Sequence, residues 1–497
     1  MWRVARHSPA QGLSRAADNN LQTSAMRHAL ALIAVLTAAG SAAAATPPTV
    51  GKTPGAPVFV ITGGGWGHNV GLSQWGAYGQ AKAGRTYDRI LRQYFPGAKL
   101  EPTPVKKVRV LVAEGARTAA IGSAAPFRVR DGAGVVHEVY GWQIRLGRAL
   151  RVPVVLEASG LGPDELAGRA RKQLELTPPL TFLPARGATM TLDGKGFRGR
   201  LEVTRVGTNL RIVMLVGLEA YVQGIVPGEM PKEWPLEALK AQAVAARTYA
   251  VAKFEQGKEW DIVADPYAFA YYGVRSEAPS TNQAVEETRG EVLTYGGKAI
   301  TAFYFSSSGG RTLSAQDVFG VALPYLPGAK DPWDVASPHY RWPVRTFTPA
   351  ALASALRAGA PVADVQVVPS APGRPIGFLV AMDTGASVQV RATEIRTRLG
   401  LKSPNFRIGV LRLAPPATPV GPGETVTLEG VARDVGETVL EERGSDGLWK
   451  PVKKLVLQAD GSFAAVLRPA VTSAYRLVAA GLIGPALTVK VAEQAFG

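Results

Sequence analysis

The 497-residue chain has no cysteine, only 5 histidines and 6 methionines. Without cysteine there are no disulfides, no thiolate metal centre and no cysteine nucleophile. Five histidines leave little for a multi-histidine metal site, so neither a metal nor another cofactor is expected. No apolar run reaches the roughly 20 residues of a membrane-spanning helix. Acidic residues are also scarce: 39 Asp and Glu stand against 56 Lys and Arg, for a formal net charge of +17. That excess suits a polyanion, whether nucleic acid, an anionic lipid surface or a cell-wall polymer. No recognised nucleic-acid-binding motif accompanies the charge, so nucleic acid is not an expected partner.

Hydrophobic residues make up 46% of the chain, enough for real cores, and the length suggests two to four domains. Gly 55 and Pro 37 forecast many turns. Near the N-terminus, Met26-Arg27-His28 precedes an apolar run from Ala29 to Ala39 and a small-residue stretch ending at Ala45. This order is that of a secretory signal peptide over residues 1–45, with Met26 an alternative start. The expected mature protein is secreted or held in the cell envelope, which argues further against nucleic acid.

Thr46–Pro57 is a Pro/Thr/Gly linker. Residues 58–413 form the main domain, expected to be α+β with a mixed, multi-stranded core. Strand signals fall at Lys107–Val112, Phe127–Arg130, Leu201–Val206, Ile300–Phe305 and Phe378–Met382, and a helix is expected at Thr348–Ala358. One long Ala-rich helix follows Pro235, which is placed at its first position. Leu236, Leu239, Ala243, Ala246 and Ala250 share a face, and Gly257 provides a stop. After a Pro-rich linker at 414–423, evenly spaced short strands over 424–497 suggest a separate all-β, immunoglobulin-like sandwich.

Three stretches carry chemistry. In Val226-Pro-Gly-Glu229-Met-Pro231, prolines flank an acidic side chain on what reads as a loop before the long helix, with Met230 and Trp234 as apolar cover. Loss of water raises a carboxyl pKa, as a general acid near neutral pH requires. The same position would also let Glu229 simply favour the helix dipole. Glu233 and Glu237 read as a solvated face near Lys or Arg. In Gly63-Gly-Gly-Trp66-Gly-His68-Asn69-Val-Gly-Leu-Ser73-Gln74-Trp75-Gly-Ala-Tyr78, dense glycines allow close approach of backbone. Trp66, Trp75 and Tyr78 offer faces that stack on sugar rings, and His68, Ser73 and Gln74 offer hydrogen-bonding edges. In Tyr304-Phe-Ser306-Ser-Ser308-Gly309-Gly310, a strand running into a turn would present hydroxyls and N–H groups. It is not a serine-hydrolase elbow, nor do the glycines have dinucleotide or Walker spacing.

Together these stretches resemble the stage II sporulation protein D family, which includes amidase enhancers of bacterial cell walls. The resemblance rests on Val-Pro-x-Glu-Met-Pro, on Trp-Pro-Leu-Glu-Ala-Leu-Lys-Ala-Gln-Ala-Val-Ala-Ala-Arg-Thr-Tyr-Ala, on Trp-Gly-His-x-Val-Gly-x-Ser-Gln-Trp-Gly-Ala and on Ser-Ser-Gly-Gly-x-Thr. It covers roughly residues 58–413 and implies a lytic transglycosylase that cuts peptide-stripped peptidoglycan glycan strands, with Glu229 as catalytic acid. Trp66, His68, Ser73, Gln74, Arg247, Tyr249, Ser308 and Gly309 are the expected substrate-binding residues. Expected partners are glycan strands, anionic wall polymers and a cell-wall amidase; the competing reading is a non-catalytic, glycan-binding amidase enhancer. Three departures stand out: the Trp-Gly-His motif precedes the rest, as in a circular permutation; Asn69 replaces a glycine; and Phe269 stands where glutamine is common. Some relatives bind zinc through Cys and His near Phe269; lacking both there, this chain is not expected to.

Overall fold

The computed structural model describes residues 55–139, 142–155, 171–254, 257–264, 273–416, 420–421 and 423–492. The expected signal peptide, nearly all of the first linker, part of the second and the stretch around Phe269 lie outside the described residues. The fold is mixed α/β, as expected for the main domain.

The body of the molecule is a seven-stranded sheet. Its spatial order is Ile262–Val263, Lys107–Ala116, Asn209–Gly217, Arg200–Val206, Leu180–Pro184, Phe127–Arg130 and Val136–Glu138. Alternation along Arg200–Val206 sends Leu201 and Val203 inward, where both are fully buried. Of the expected strand at Ile300–Phe305 only Tyr304–Phe305 forms, paired with Leu72–Ser73, while Lys298–Ala299 just before it pairs with Glu291–Tyr295.

Helices α1 (Gln74–Lys82), α2 (Tyr87–Tyr94), α3 (Leu218–Glu229), α4 (Leu236–Lys253) and α5 (Pro279–Glu287) gather beside this sheet. The long helix α4 forms as expected, but Pro235 is its N-cap rather than its first residue. It is also not one-faced. From Ala238 to Ala250 every residue but Lys240 is buried, because alanine side chains let α3, α5 and the Glu291–Tyr295 strand approach from different sides. Thr248 stitches this contact: its hydroxyl donates to Val244 O at 2.6 Å and accepts from Leu293 N at 2.9 Å.

The strand Val58–Gly63 explains how the N-terminal motif is held. It pairs antiparallel with Phe406–Leu413, Val58 opposite Leu411, and with Arg345–Phe347 on its other edge. Its period of two divides it between two cores. Val58 and Val60 pack with Leu411, Leu428, Phe463 and Leu477, while Phe59 and Ile61 pack with Leu352, Val380 and Ile395. The helix Pro349–Leu356, capped by the Thr348 hydroxyl, lies on this second side as expected.

The C-terminal strands are all-β, but the expected immunoglobulin-like sandwich is not recovered as a module of its own. One sheet, Trp449–Lys454, Thr438–Arg443, Ser473–Ala479, Leu482–Ile483 and Leu487–Val489, comes wholly from the last residues. The facing sheet runs from Ser462–Leu467 and Val426–Arg433 straight into Phe406–Leu413 and Val58–Gly63. The strands on either side of the Pro-rich stretch are thus paired neighbours, and the core on this side is shared. Leu428→Ala, in that shared core and fully buried, should cost about 2–5 kcal/mol. Hydrogen exchange should then show weakened protection at Val58–Gly63. Unchanged protection there would mean that the C-terminal strands fold separately.

Candidate active site

Glu229 is the last residue of α3, not part of a loop ahead of α4. Pro227 is tolerated within the final turn, and Pro231 forbids continuation, so Met230 turns extended immediately after the carboxyl. A helix end therefore fixes the position of Glu229. Its Oε2 accepts a hydrogen bond from Gln74 Nε2 at 3.2 Å. The same Gln74 nitrogen lies 3.5 Å from Gln242 Oε1 on α4. Glu229 stays half-buried, whereas Gln242 is fully buried.

Tyrosines complete the surroundings. The Tyr304 hydroxyl is held well above its ordinary pKa by burial first, then by the Glu229 charge and by Tyr221 and Tyr249. Burial pushes Tyr249 up to about 12. These phenols stay protonated across the physiological range, and Tyr304, which feels the Glu229 charge, offers a neutral group near that carboxyl. Tyr221, Gln242 and Tyr304 were not singled out by sequence reasoning. Gln242 lies within the long motif, Tyr221 lies on α3 ahead of Glu229, and Tyr304 stands two residues before the serine run.

Aromatic rings flank the carboxyl's partner. Trp75, next to Gln74, packs against Tyr78 at 5.4 Å and Trp234 at 4.9 Å between ring centroids. Trp234 thus covers Trp75 and Tyr78, while Met230 is buried in the main core. Trp66 lies across the serine run: Trp66 N donates to Ser307 O at 2.7 Å, and Trp75 N to Ser306 O at 3.0 Å. Trp66 is 41% exposed.

What brings the glycine-rich motif to Glu229 is a residue the sequence reading passed over, Asp334. Its buried carboxylate accepts from Ser73 Oγ at 3.0 Å, Ser307 Oγ at 2.8 Å, Ser308 N at 3.1 Å and Gly309 N at 2.8 Å. Ser73 Oγ also accepts from Gly76 N and so caps α1. Ser73, Ser308 and Gly309, expected to meet substrate, are buried and turn these groups toward Asp334. The only sequence signal was Asp331-Pro-Trp-Asp334, two acids in an otherwise apolar stretch. Asp331 lies beside Asp334 and is also fully buried. Burial, with a contribution from Asp334, pushes its carboxyl up to about 6. Burial raises Asp334 as well, against the pull of its donors.

Two further expected ligands also serve the framework. His68 Nδ1 accepts from Val70 N at 3.2 Å, and its ring packs against Phe303, Phe305 and Phe319. Burial, then the Arg396 charge, lowers its pKa to about 4, so the imidazole is neutral. Arg247 is the largest fully buried side chain. Its guanidinium grips Glu219 at 2.6 Å and donates to Val285 O at 3.1 Å and Glu291 O at 3.2 Å, joining α3, α4 and α5. Glu237 accepts from Tyr87 N and pairs with Lys240, while Glu233 is exposed. Asn69 fills the glycine position at φ 67° and sends Nδ2 to Arg311 O at 2.8 Å. Short polar side chains tolerate that left-handed backbone. Of the expected site residues, Glu229 and Gln74 meet directly, Tyr249 acts with Glu229 on Tyr304, Trp66 is exposed beside the serine run, and the rest serve the frame.

A family model described as stage II sporulation protein matches residues 206–295. Among curated proteins, the chain is 35% identical over 243 residues to a stage II sporulation protein D of Bacillus amyloliquefaciens, covering 46% of this chain and 69% of that one. It is 48% identical over 113 residues to an amidase enhancer of Bacillus subtilis (strain 168), covering 23% of this chain and 15% of that protein. An uncharacterised protein of Brachyspira hyodysenteriae is 41% identical over 141 residues, 28% of this chain and 38% of the relative. The chain therefore spans well under half the length of these last two relatives.

Two consequences can be measured. Asp331 has a folded-state pKa of about 6 against an ordinary 3.8. Its protonated form favours the fold, so its contribution is full below about pH 4 and is lost as pH rises through 6. Asp331→Asn should gain stability relative to wild type between pH 4 and 7, by on the order of 3 kcal/mol at the upper end. A difference independent of pH would refute this. Arg247→Met leaves Glu219 without its cation and should cost about 3–5 kcal/mol in denaturant unfolding. A near-neutral effect would contradict the framework role.

Proposed function

The chain belongs to the stage II sporulation protein D family, and from that premise we propose that it is an exported peptidoglycan lytic transglycosylase. Its substrate would be glycan strands, cut between the muramyl and glucosaminyl residues. The observation that carries this reading is the hydrogen bond from Gln74 to Glu229, which joins two motifs 155 residues apart at a half-buried carboxyl whose charge reaches Tyr304.

The chemistry needs one accessible carboxyl. Glu229 protonates the glycosidic oxygen as C1 takes on oxocarbenium character, and the bond to the leaving sugar breaks. Gln74 Nε2, already donating to Oε2, stabilises the carboxylate that results. That carboxylate then takes the proton of the C6 hydroxyl, whose oxygen closes on C1 to give a 1,6-anhydro end. An ordinary glycosidase places a second carboxylate to activate water or attack the sugar. Asp331 and Asp334 cannot fill that place, since both are fully buried and Asp334 is occupied by four donors. The half-buried Trp75, Tyr78 and Trp234 offer ring faces for sugar stacking. The positive balance of the chain suits retention on anionic wall polymers.

Digestion of purified, peptide-stripped glycan should yield anhydromuramyl ends by mass spectrometry, and Glu229→Gln should lower their rate by about 100-fold or more. An undiminished variant would remove Glu229 from the chemistry. The second reading, a glycan-binding amidase enhancer that does not cut, is favoured by the likeness to the Bacillus subtilis amidase enhancer. It would hold if both forms bind glycan and neither releases product.

A further inference from the structure

Beyond the Glu229 carboxyl, one exposed cluster of side chains has no structural task. Trp66 sits between Gly65 and Gly67, and the backbone on both sides is pinned. Gly65 N donates to His339 O at 2.7 Å, and Gly67 N donates to Lys402 O at 3.1 Å. Gly65 adopts φ +88°, and a Cβ there would meet Ser307 O at 2.6 Å, so the turn that projects the indole outward admits only glycine. The result is a large apolar ring held in solvent at 41% exposure by a rigid frame.

The residues that pin this backbone also surround the ring. His339 meets the indole edge-on, with centroids 4.4 Å apart. Lys402 Nζ lies 5.0 Å from the Trp66 ring centroid and 3.1 Å from His339 Nδ1. For Lys402 to donate there, Nδ1 must be an acceptor. Burial, then the Lys402 charge, lowers the His339 pKa and keeps the ring neutral. Lys402 is exposed and forms no ion pair among the described residues. A cation aimed by a histidine over an indole, with no acid of its own, is arranged for an anion attached to something flat and apolar.

Through Ser307 and Ser306 this cluster is joined by backbone bonds to Trp66 and Trp75, and Gln74 follows directly toward Glu229. A strand that follows this connection away from the carboxyl meets the cluster. We propose that Trp66, His339 and Lys402 form a subsite for a muramyl residue, Trp66 stacking on the sugar and Lys402 pairing with the free carboxylate of its lactyl group. This rests on the glycan-cutting reading above and adds what selects the strand. When a stem peptide is attached, the lactyl carboxylate is an amide, and Lys402 loses its counterion. Lys402 thus becomes a specificity-determining residue for peptide-free muramyl units.

The test measures binding rather than turnover, using the full-length Glu229→Gln protein so that glycan stays intact. Three probes are titrated while tryptophan fluorescence is followed. They are peptide-stripped glycan, the same glycan with its lactyl carboxylates reduced to alcohols, and a chitin oligosaccharide, which lacks the lactyl group. Lys402→Gln should weaken binding of the first probe about tenfold and leave the other two unchanged. Lys402→Arg should restore most of the loss, and Trp66→Ala should weaken all three. Equal loss on native and reduced glycan, or no loss on either, would overturn the role of Lys402 while leaving glycan binding standing. If none of the three probes binds, the glycan-cutting reading falls together with this one.

Discussion

The arrangement depends on one buried carboxylate that never meets the solvent. Asp334 accepts hydrogen bonds from two serine hydroxyls and two backbone N–H groups, drawn from the N-terminal motif and from the Ser307–Gly309 turn. Burying an ionised group is costly unless its lone pairs are filled. Here four donors fill them, and in doing so they fix where α1 begins. The first residue of α1 is Gln74, and it reaches Glu229. Catalytic geometry on one side and a sealed charge on the other are thus two ends of the same short connection.

The placement of the N-terminal motif becomes intelligible in the same terms. Val58–Gly63 and Phe406–Leu413 are antiparallel neighbours, so the start of one strand lies beside the end of the other. Chain order can change there without moving either strand. The N-terminal motif then enters the site from the sheet edge, wherever its covalent link happens to be. Phe406–Leu413 also pairs with Val426–Arg433, which continues the same sheet into the C-terminal strands.

Much of this was legible in the sequence, though unevenly. The long helix, the Thr348-capped helix and the alternating strands could be read from local pattern, because propensity and periodicity agree there. The acid and its glutamine were visible as members of separate motifs, but nothing local says that they touch. The contacts that His68, Arg247, Ser73, Ser308 and Gly309 make within the protein could not be read locally, for one shared reason. Polar residues in dense motifs can serve a ligand or one another, and only burial decides. Arg247 looks like a substrate cation until Glu219 is found against it. Asp334, Tyr304 and Lys402 were missed for the opposite reason, since each gains its meaning from a partner distant in sequence. That the C-terminal strands continue the sheet of Val58–Gly63 was not legible, because strand pairing across a Pro-rich stretch leaves no local signal.

In this account Glu229 acts alone, so the sugar's own C6 hydroxyl and not water must close on C1. Cleavage of peptide-stripped glycan in water enriched in oxygen-18 tests this directly. The account predicts new muramyl ends in the 1,6-anhydro form with no heavy oxygen incorporated. Ends that carry one oxygen-18 at C1 would contradict it, because water would then have done what the geometry assigns to the substrate.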